Sequence, residues 1–380
     1  MIWLAVPGLA AGAYYVLTVI ATIRWGARRG APGSRGSGTG TGAFTPISLL
    51  KPVHGRDPRF FDAIRSHALQ DYPEFEILFG VSDPRDSALE DIARLQREFP
   101  SLRIESVVVS TTAPNAKAGV LAELARRARY PLLVVNDSDI VVEPGYLRAV
   151  AAPLANPGTG LVTCLYRAAA ASWASRAEAL GIATEFVPSV LVARLLGQGE
   201  FALGSTMALR ADTLRAAGGF EAIAQYLADD YQLGRRVHAL GGRIEFAPVV
   251  VTTDLGAESW AGAWGHQLRW ARTIRISRPG GYYGYAITHA TVWALVALAA
   301  GEWRIAAAVL GVRLIAGALT ALVIGDCRSA AAFWAVPLRD LFGFAVWLGG
   351  AFGRTVHWRG RQLRLSDGGV ISEKSAAALN

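Results

Sequence analysis

The chain has 380 residues, of which 52% are hydrophobic and only 18% charged, with a formal net charge of +8. That is too apolar for an ordinary soluble enzyme and points to a globular domain joined to membrane segments, its positive balance suiting an anionic bilayer, a phosphorylated substrate or nucleic acid. The two cysteines, Cys164 and Cys327, exclude a disulfide framework and a C-x-x-C metal knuckle, so a reducing compartment is expected for the globular part.

Residues 1–23 carry no charge, and about 23 residues suffice to cross a hydrocarbon core that needs about 20. Trp3, Tyr14 and Tyr15 suit its interfaces. Arg24, Arg28, Arg29 and Arg35 come after the apolar run instead of preceding it, which favours an uncleaved anchor over a signal peptide. The positive-inside rule then puts the chain beyond Arg24 in the cytoplasm. Residues 24–45, rich in Gly, Ser, Thr and Arg, read as a flexible linker.

From residue 46 strands alternate with helices. Strands are predicted at 47–53, 75–81, 104–109 and 132–135. Helices are predicted at 57–70, with Asp57 as cap, at 86–99, and from Asn115 to about Arg129. This order predicts a largely parallel sheet covered by helices. No G-x-G-x-x-G comes after the first strand, which argues against dinucleotide binding.

The strand at 132–135 runs into Asp137-Ser138-Asp139. Ligands of open α/β sheets bind beyond the carboxyl ends of the strands, and two hard oxygen donors there suit a divalent cation carried on a phosphorylated substrate. The alternative is a loop whose residues 136–138 make turn hydrogen bonds. Asp83 lies after the second strand and Lys117 after the third, so the sheet rule gives all four one rim. Asp83 is placed to accept a hydrogen bond from a base or ribose, and Lys117 to meet a phosphate as a point charge; the alternative for either is an ordinary solvated loop residue.

A strand at 160–166 leads to an apolar, sparsely charged stretch at 173–196. Its second half, 187–196, reads as an interfacial segment or as a plain core helix. A turn and strand (201–210) and a short helix (211–217) precede a helix at 227–240 opened by Asp229-Asp230. One carboxylate suffices to complement a helix dipole, which leaves the second free as a general base. A turn and a last strand cover 241–251.

Residues 257–277 carry Trp260, Trp264, Trp270, His266, Arg269, Arg272 and Arg275. Such a basic, aromatic helix suits a membrane interface, and the apolar segments after it favour that over a nucleic-acid patch. Those segments are 285–301, 305–325 and 330–352. Arg313, Arg339 and Asp340 fall within them, where charges face the protein or pair. Three such spans place the basic tail outside; two plus a re-entrant segment keep it inside.

Asp83, the D-x-D at Asp137 and Asp139, Ala228-Asp229-Asp230 and His266-Gln267-Leu268-Arg269-Trp270 occur in the order found in inverting, membrane-bound glycosyltransferases of the GT-A fold. The wording of LLKPVHGRDP, GGFEAIAQYLADDYQLGRR and HWRGRQLRL resembles the ceramide glucosyltransferase family, and within it the bacterial hopanoid-associated branch. The resemblance runs from about residue 47 to about residue 365. It implies an α/β, Rossmann-like GT-A domain with a mostly parallel sheet over 46–256. Before it stand an N-terminal anchor (1–23) and the linker (24–45). After it come an interfacial helix (257–284), two to three transmembrane helices (285–353) and a basic tail (354–380).

The activity so implied is transfer of one sugar from UDP-N-acetylglucosamine or UDP-glucose to a hydroxyl of a hopanoid polyol or ceramide. The place is the inner membrane, multi-pass, with a cytoplasmic catalytic domain and no nucleic-acid partner. By the same resemblance Pro52, Asp83, Lys117 and Asp137 contact the donor, and Asp137 and Asp139 hold its diphosphate through Mg²⁺ or Mn²⁺. Asp230 is the base, and Arg269 and Trp270 close over the acceptor and the leaving diphosphate. His266 departs from the family, which has Gln or Arg there; an imidazole still donates a hydrogen bond to a phosphate. A processive polysaccharide synthase and a non-catalytic scaffold of the same fold are the alternatives.

Overall fold

A computed structural model describes residues 6–30 and 44–373. Trp3, Arg35, most of the expected linker and the end of the basic tail lie outside the described residues. Along the chain come α1 (Val6–Gly30), β1 (Ile47–Val53), α2 (Phe60–Ala68), β2 (Phe75–Val81), α3 (Ala88–Glu98) and β3 (Arg103–Val108). Next are α4 (Ala116–Arg127), β4 (Leu132–Val135), β5 (Ile140–Val141), α5 (Tyr146–Ala151) and β6 (Thr159–Ala169). A rod comes next, made of α6 (Trp173–Gly181), a π-helical turn (Ile182–Phe186) and α7 (Val187–Leu195). The chain returns to β7 (Met207–Arg210), α8 (Ala211–Ala216), α9 (Asp229–Ala239) and β8 (Arg243–Asp254). It ends with α10 (Trp260–Ser277), α11 (Pro279–Gly284), α12 (Ala290–Ala299), α13 (Trp303–Val323), α14 (Cys327–Ala331), α15 (Val336–Gly350), β9 (Thr355–Trp358), β10 (Arg361–Leu365) and β11 (Ile371–Glu373). These elements fall into an α/β unit (28–166 and 200–256) and a helical unit (1–27, 167–199 and 257–380).

The α/β unit holds a sheet of order β3-β2-β1-β4-β7-β6-β8-β5. Strands β3, β2, β1 and β4 run parallel, as the alternation of strand and helix predicts. The other half is antiparallel where β7 meets β4 and β6, and where β5 meets β8. Strand β1 is buried along its whole length. A proline inside such a strand needs an explanation. The Ile47 N–H bonds toward β2, at Glu74 O, so even-numbered residues of β1 turn their nitrogens to β4. Pairing with β4 stops at Leu50, so Pro52 lacks its N–H where no ladder bond would form.

Two local features set the positions of the polar residues. Asn115 caps α4, its Oδ1 accepting from the Ala118 N–H at 3.2 Å, which puts Lys117 in the first turn. A Cβ on Gly80 would lie 2.3 Å from Val120 Cγ1, so only glycine lets α4 press this close on β2. Asp57 does not cap α2, contrary to expectation. Arg59 sits at φ 55°, which breaks the helical run before Phe60, and the Asp57 carboxylate is instead taken by the Ser138 hydroxyl.

In the helical unit α1 buries Gly8, Ala11, Tyr15, Thr18, Thr22 and Trp25, a stripe at three- and four-residue spacing. Ala11 and Tyr15 pack with Ala290, Ala294, Ala297, Ala306, Val309 and Ala316, and Thr22 bonds Thr320 at 3.0 Å. Small residues at helix contacts, with Leu9, Val16, Ile20 and Ile23 exposed on the far side, are the pattern of helices packed in lipid. The helix α1 also runs through Arg24, Arg28 and Arg29 to Gly30, past the start of the expected linker. Among the described residues α1 and α13 are long and apolar enough to cross a membrane. Of the two to three C-terminal spans expected, α13 is one of that length among the described residues. The ten residues of α12 rise about 15 Å, half of a hydrocarbon core of about 30 Å. The basic tail folds into a three-stranded antiparallel sheet, β11-β10-β9, which its pattern did not announce.

Arg313 of α13 is fully buried against Asp340 of α15. Its Nε donates to Oδ1 at 3.2 Å and Oδ2 at 3.1 Å, its Nη2 to Oδ1 at 2.6 Å and its Nη1 to the Thr184 carbonyl at 2.8 Å. Asp340 Oδ2 also accepts from Thr291 Oγ1 at 2.8 Å. Removing one partner strands a buried charge, at a cost of about 3–5 kcal/mol, whereas replacing both with apolar groups costs far less. Asp340→Leu is therefore expected to lower the melting temperature in detergent much more than Arg313→Met with Asp340→Leu. Equal losses would show that the pair does not act as a unit.

Candidate active site

Four segments of the α/β unit bring charge together. The loop after β4 brings Asp137, the first turn of α4 brings Lys117, the start of α9 brings Asp229 and Asp230, and the turn before β7 brings Gly204. Lys117 Nζ lies 2.7 Å from Asp137 Oδ1 and 3.3 Å from Asp229 Oδ2. Asp230 Oδ2 accepts from the Gly204 N–H at 2.8 Å, and its Oδ1 from the Tyr231 N–H at 2.7 Å. A Cβ on Gly204 would meet Asp137 Oδ2 and Asp230 Oδ2, each at 3.3 Å, so the glycine backbone fills the space between the two acids.

Each segment is fastened from behind. Asn136 Nδ2 donates to Tyr146 Oη, the Ser205 carbonyl and Thr206 Oγ1 at 2.9, 2.8 and 3.1 Å, which ties the D-x-D loop to the Gly204 turn. Asn115 Nδ2 donates to the Tyr226 carbonyl at 2.8 Å and ties the approach to α9 to the start of α4. Lys51 of β1 is fully buried, and its Nζ donates to the Asp137 carbonyl at 3.1 Å. Asp139 accepts from the Thr253 hydroxyl at the end of β8.

The electrostatics result from this packing. Burial alone would lower the Lys117 pKa, but Asp137 and then Asp229 outweigh it and hold the ammonium well above its ordinary range. Burial, and then the charge of Asp229, push Asp230 up to about 6, while Lys117 pulls the other way. Asp139 is raised to about 6 by burial and by Asp137. Burial takes Lys51 down to about 7 against Asp139, Asp137 and Asp57.

Asp137 and Asp139 fit a divalent cation of the hard, oxygen-seeking kind. They offer two carboxylates whose mutual repulsion a cation relieves. Among the described residues no group of three or more His, Cys, Asp or Glu closes a cage, so a cation here would take its other ligands from a bound diphosphate and water.

Asp83 stands exposed in the turn after β2, its Oδ1 accepting from the Arg85 N–H at 2.8 Å. Pro52 is buried in β1. His266, Arg269 and Trp270 lie on α10 of the helical unit. His266 Nδ1 is 2.6 Å from Oε1 of the buried Glu178, and its ring centroid is 4.7 Å from that of Trp270. Sequence reasoning missed Lys51, Gly204, Thr253 and Glu178 as members of these groups. Lys51 alone carried a signal, a charge inside an otherwise apolar strand.

The model of glycosyl transferase family 21 matches residues 4–371. Ceramide glucosyltransferase 1 of Caenorhabditis elegans is 26% identical over 200 residues, covering 51% of this chain and 42% of that protein. The ceramide glucosyltransferase of Candida albicans is 30% identical over 118 residues, covering 28% of this chain and 22% of that protein. The chain thus spans less than half the length of these curated relatives. Among solved structures, the mannosyltransferase PcManGT from Pyrobaculum calidifontis, in complex with GDP-Man and Mn2+, has a TM-score of 0.55 at 19% identity, over 92% of this chain and 97% of that one. That likeness is one of fold, the GT-A fold of glycosyltransferases.

Lys117→Met leaves Asp137, Asp229 and Asp230 without their shared cation, and the Asp230 carboxyl then rises further. A carboxyl raised above its unfolded value binds protons more tightly in the folded state, so stability is lost as pH rises through it. The substitution is expected to cost on the order of 2 kcal/mol near pH 8 and less near pH 5, toward the low end for a buried pair because Asp137 is 42% exposed. Thermal melts at the two pH values check this; a loss independent of pH would remove charge neutralisation as the role of Lys117.

Proposed function

Since the chain belongs to glycosyl transferase family 21, we propose that it moves one sugar from a nucleoside-diphosphate sugar to a hydroxyl of a membrane lipid, with inversion at the anomeric carbon. The donor is UDP-N-acetylglucosamine or UDP-glucose, and the acceptor a hopanoid polyol or ceramide. The observation that carries this reading is the carboxylate of Asp230, held by the Gly204 N–H beside Asp137 and Lys117. An inverting transfer needs one base and a place for a diphosphate, and this group of residues supplies both.

Asp230 takes the proton of the acceptor hydroxyl as its oxygen attacks the anomeric carbon. The bond from that carbon to the diphosphate oxygen breaks, and its electron pair leaves with the diphosphate. Lys117 is placed to bind a phosphate, at the start of α4 where backbone N–H groups also favour an anion. A divalent cation, Mg²⁺ or Mn²⁺, held by Asp137 and Asp139 would neutralise charge on the diphosphate. We assign Asp83 and Pro52 to the donor, and His266, Arg269 and Trp270 on α10 to the acceptor and leaving group. The arginines after the apolar stretch of α1 support an inner-membrane anchor with the α/β unit in the cytoplasm.

The test is a donor and acceptor screen on the protein in native-like membranes, with products read by mass. Three UDP-sugars (glucose, N-acetylglucosamine, galactose) are offered with Mg²⁺ or Mn²⁺ against hopanoid polyol, ceramide and diacylglycerol. A single-sugar lipid is expected; a polymer would make the chain a processive synthase, and no product with any pair would defeat the reading. Asp230→Asn is expected to keep donor binding and lose turnover by about 10²–10⁴-fold. Turnover equal to wild type in that variant would remove Asp230 as the base.

The pH profile gives an independent check. A base works ionised, and Asp230 is raised to about 6. The kcat/KM is expected to be level above that value and to fall about tenfold per pH unit below it. A limb near 4, roughly the range of an unperturbed carboxylate, would contradict the assignment.

A further inference from the structure

The helical unit buries two arginines that are alike in setting but not in pairing. Arg313 has an acceptor for Nε, Nη1 and Nη2, and both oxygens of its partner Asp340 are engaged. That pair is complete. Arg339, next to Asp340 on α15, is not. Its Nη2 donates to Gln267 Oε1 at 2.9 Å and lies 3.2 Å from Glu185 Oε2. Its Nε and Nη1 are buried with no hydrogen-bond partner, and Glu185 Oε2 accepts no hydrogen bond. Glu178 repeats the pattern: Oε1 takes His266 Nδ1, and Oε2 is buried without a partner. The side chains of Glu178, Glu185 and Arg339 are each more than nine-tenths buried.

These groups line one seam. Glu178 and Glu185 come from α6 and the π-helical turn, His266 and Gln267 from α10, and Arg339 from α15. Glycines admit the guanidinium. A Cβ on Gly181 would lie 2.2 Å from Arg339 Nε, and one on Gly343 would lie 2.8 Å from Nη1 and 3.2 Å from Glu185 Oε2. Trp270 stands beside the seam, 4.7 Å from the His266 ring and 6.2 Å from the Phe186 ring, centroid to centroid. Buried polar atoms in native structures are nearly always satisfied, and ionisable side chains among membrane helices mark sites of function.

The unused atoms are of both kinds, N–H donors on Arg339 and carboxylate acceptors on the two glutamates. A phosphate would satisfy the arginine and be repelled by the carboxylates. A hydrocarbon chain would satisfy neither. A hydroxyl donates and accepts at once, and neighbouring hydroxyls would engage both. We infer that the Glu178–Glu185–Arg339 seam binds the hydroxyl groups of a lipid headgroup. This deepens the proposed function, on which it rests for the identity of the lipid as acceptor.

The experiment uses the full chain in phosphatidylcholine nanodiscs and reads the melting temperature with bacteriohopanetetrol, with ceramide, and with the O-methylated form of each. A hydroxylated lipid is expected to raise the melting temperature and its O-methylated form to leave it unchanged. Glu185→Gln and Gly343→Ala are each expected to abolish that discrimination, the second by filling the seam while keeping every charge. In the sugar-transfer assay Gly343→Ala is expected to raise the acceptor KM about tenfold or more, the size of one charge-assisted hydrogen bond, with the donor KM unchanged. Equal shifts with free and methylated lipids, no shift with either, or wild-type discrimination in both variants would overturn the seam. Discrimination without transfer from any nucleotide sugar would instead defeat the proposed reaction and support the seam.

Discussion

The α/β unit depends on one ammonium. Lys117 sits between Asp137 and Asp229 and within the field of Asp230, three carboxylates that no protein would gather without a cation. Offsetting part of their charge lets β4, α4 and α9 converge on one point. It also leaves Asp230 with a pKa high enough to accept a proton readily and low enough to be ionised near neutrality. The same charge thus holds the group together and tempers the rise of the Asp230 carboxyl. A second buried lysine, Lys51, plays a quieter part by pinning the backbone of the D-x-D loop from the sheet side.

The helical unit solves a different electrostatic problem. Charges placed among apolar helices must be paired, and Arg313 with Asp340 shows pairing carried to completion. Around it the buried contacts are made largely by alanines, with Tyr15 packed on the Arg313 guanidinium, while aliphatic side chains take the outer face of α1. Arg339 and Glu185 occupy the same bundle with atoms to spare. The contrast between two arginines of similar burial is more telling than the burial of either.

Much of the α/β unit was legible because its signals are local. Runs of β-branched and aliphatic residues between turn residues gave β1, β2 and β4 with their observed bounds, and Asp137, Asp139, Lys117 and Asp230 declared themselves by lying at element ends. What stayed hidden depends on contacts distant in sequence. Gly204 matters because two acids lie against it, and Thr253 because β8 ends beside Asp139. Glu178 looked like a scattered charge until α10 was placed against α6. The expected cap at Asp57 failed for a local reason, a left-handed residue at Arg59, that no composition rule announces.

Asn115 joins two events that are separate in the chain. Its Oδ1 closes the first turn of α4, while its Nδ2 holds the carbonyl of Tyr226 on the approach to Asp229 and Asp230. The cap is a contact between neighbouring residues, whereas the bond to Tyr226 spans 111 residues of sequence. One side chain thus couples the cap of α4 to the position of the two acids, so the loss of Asn115 would loosen both at once.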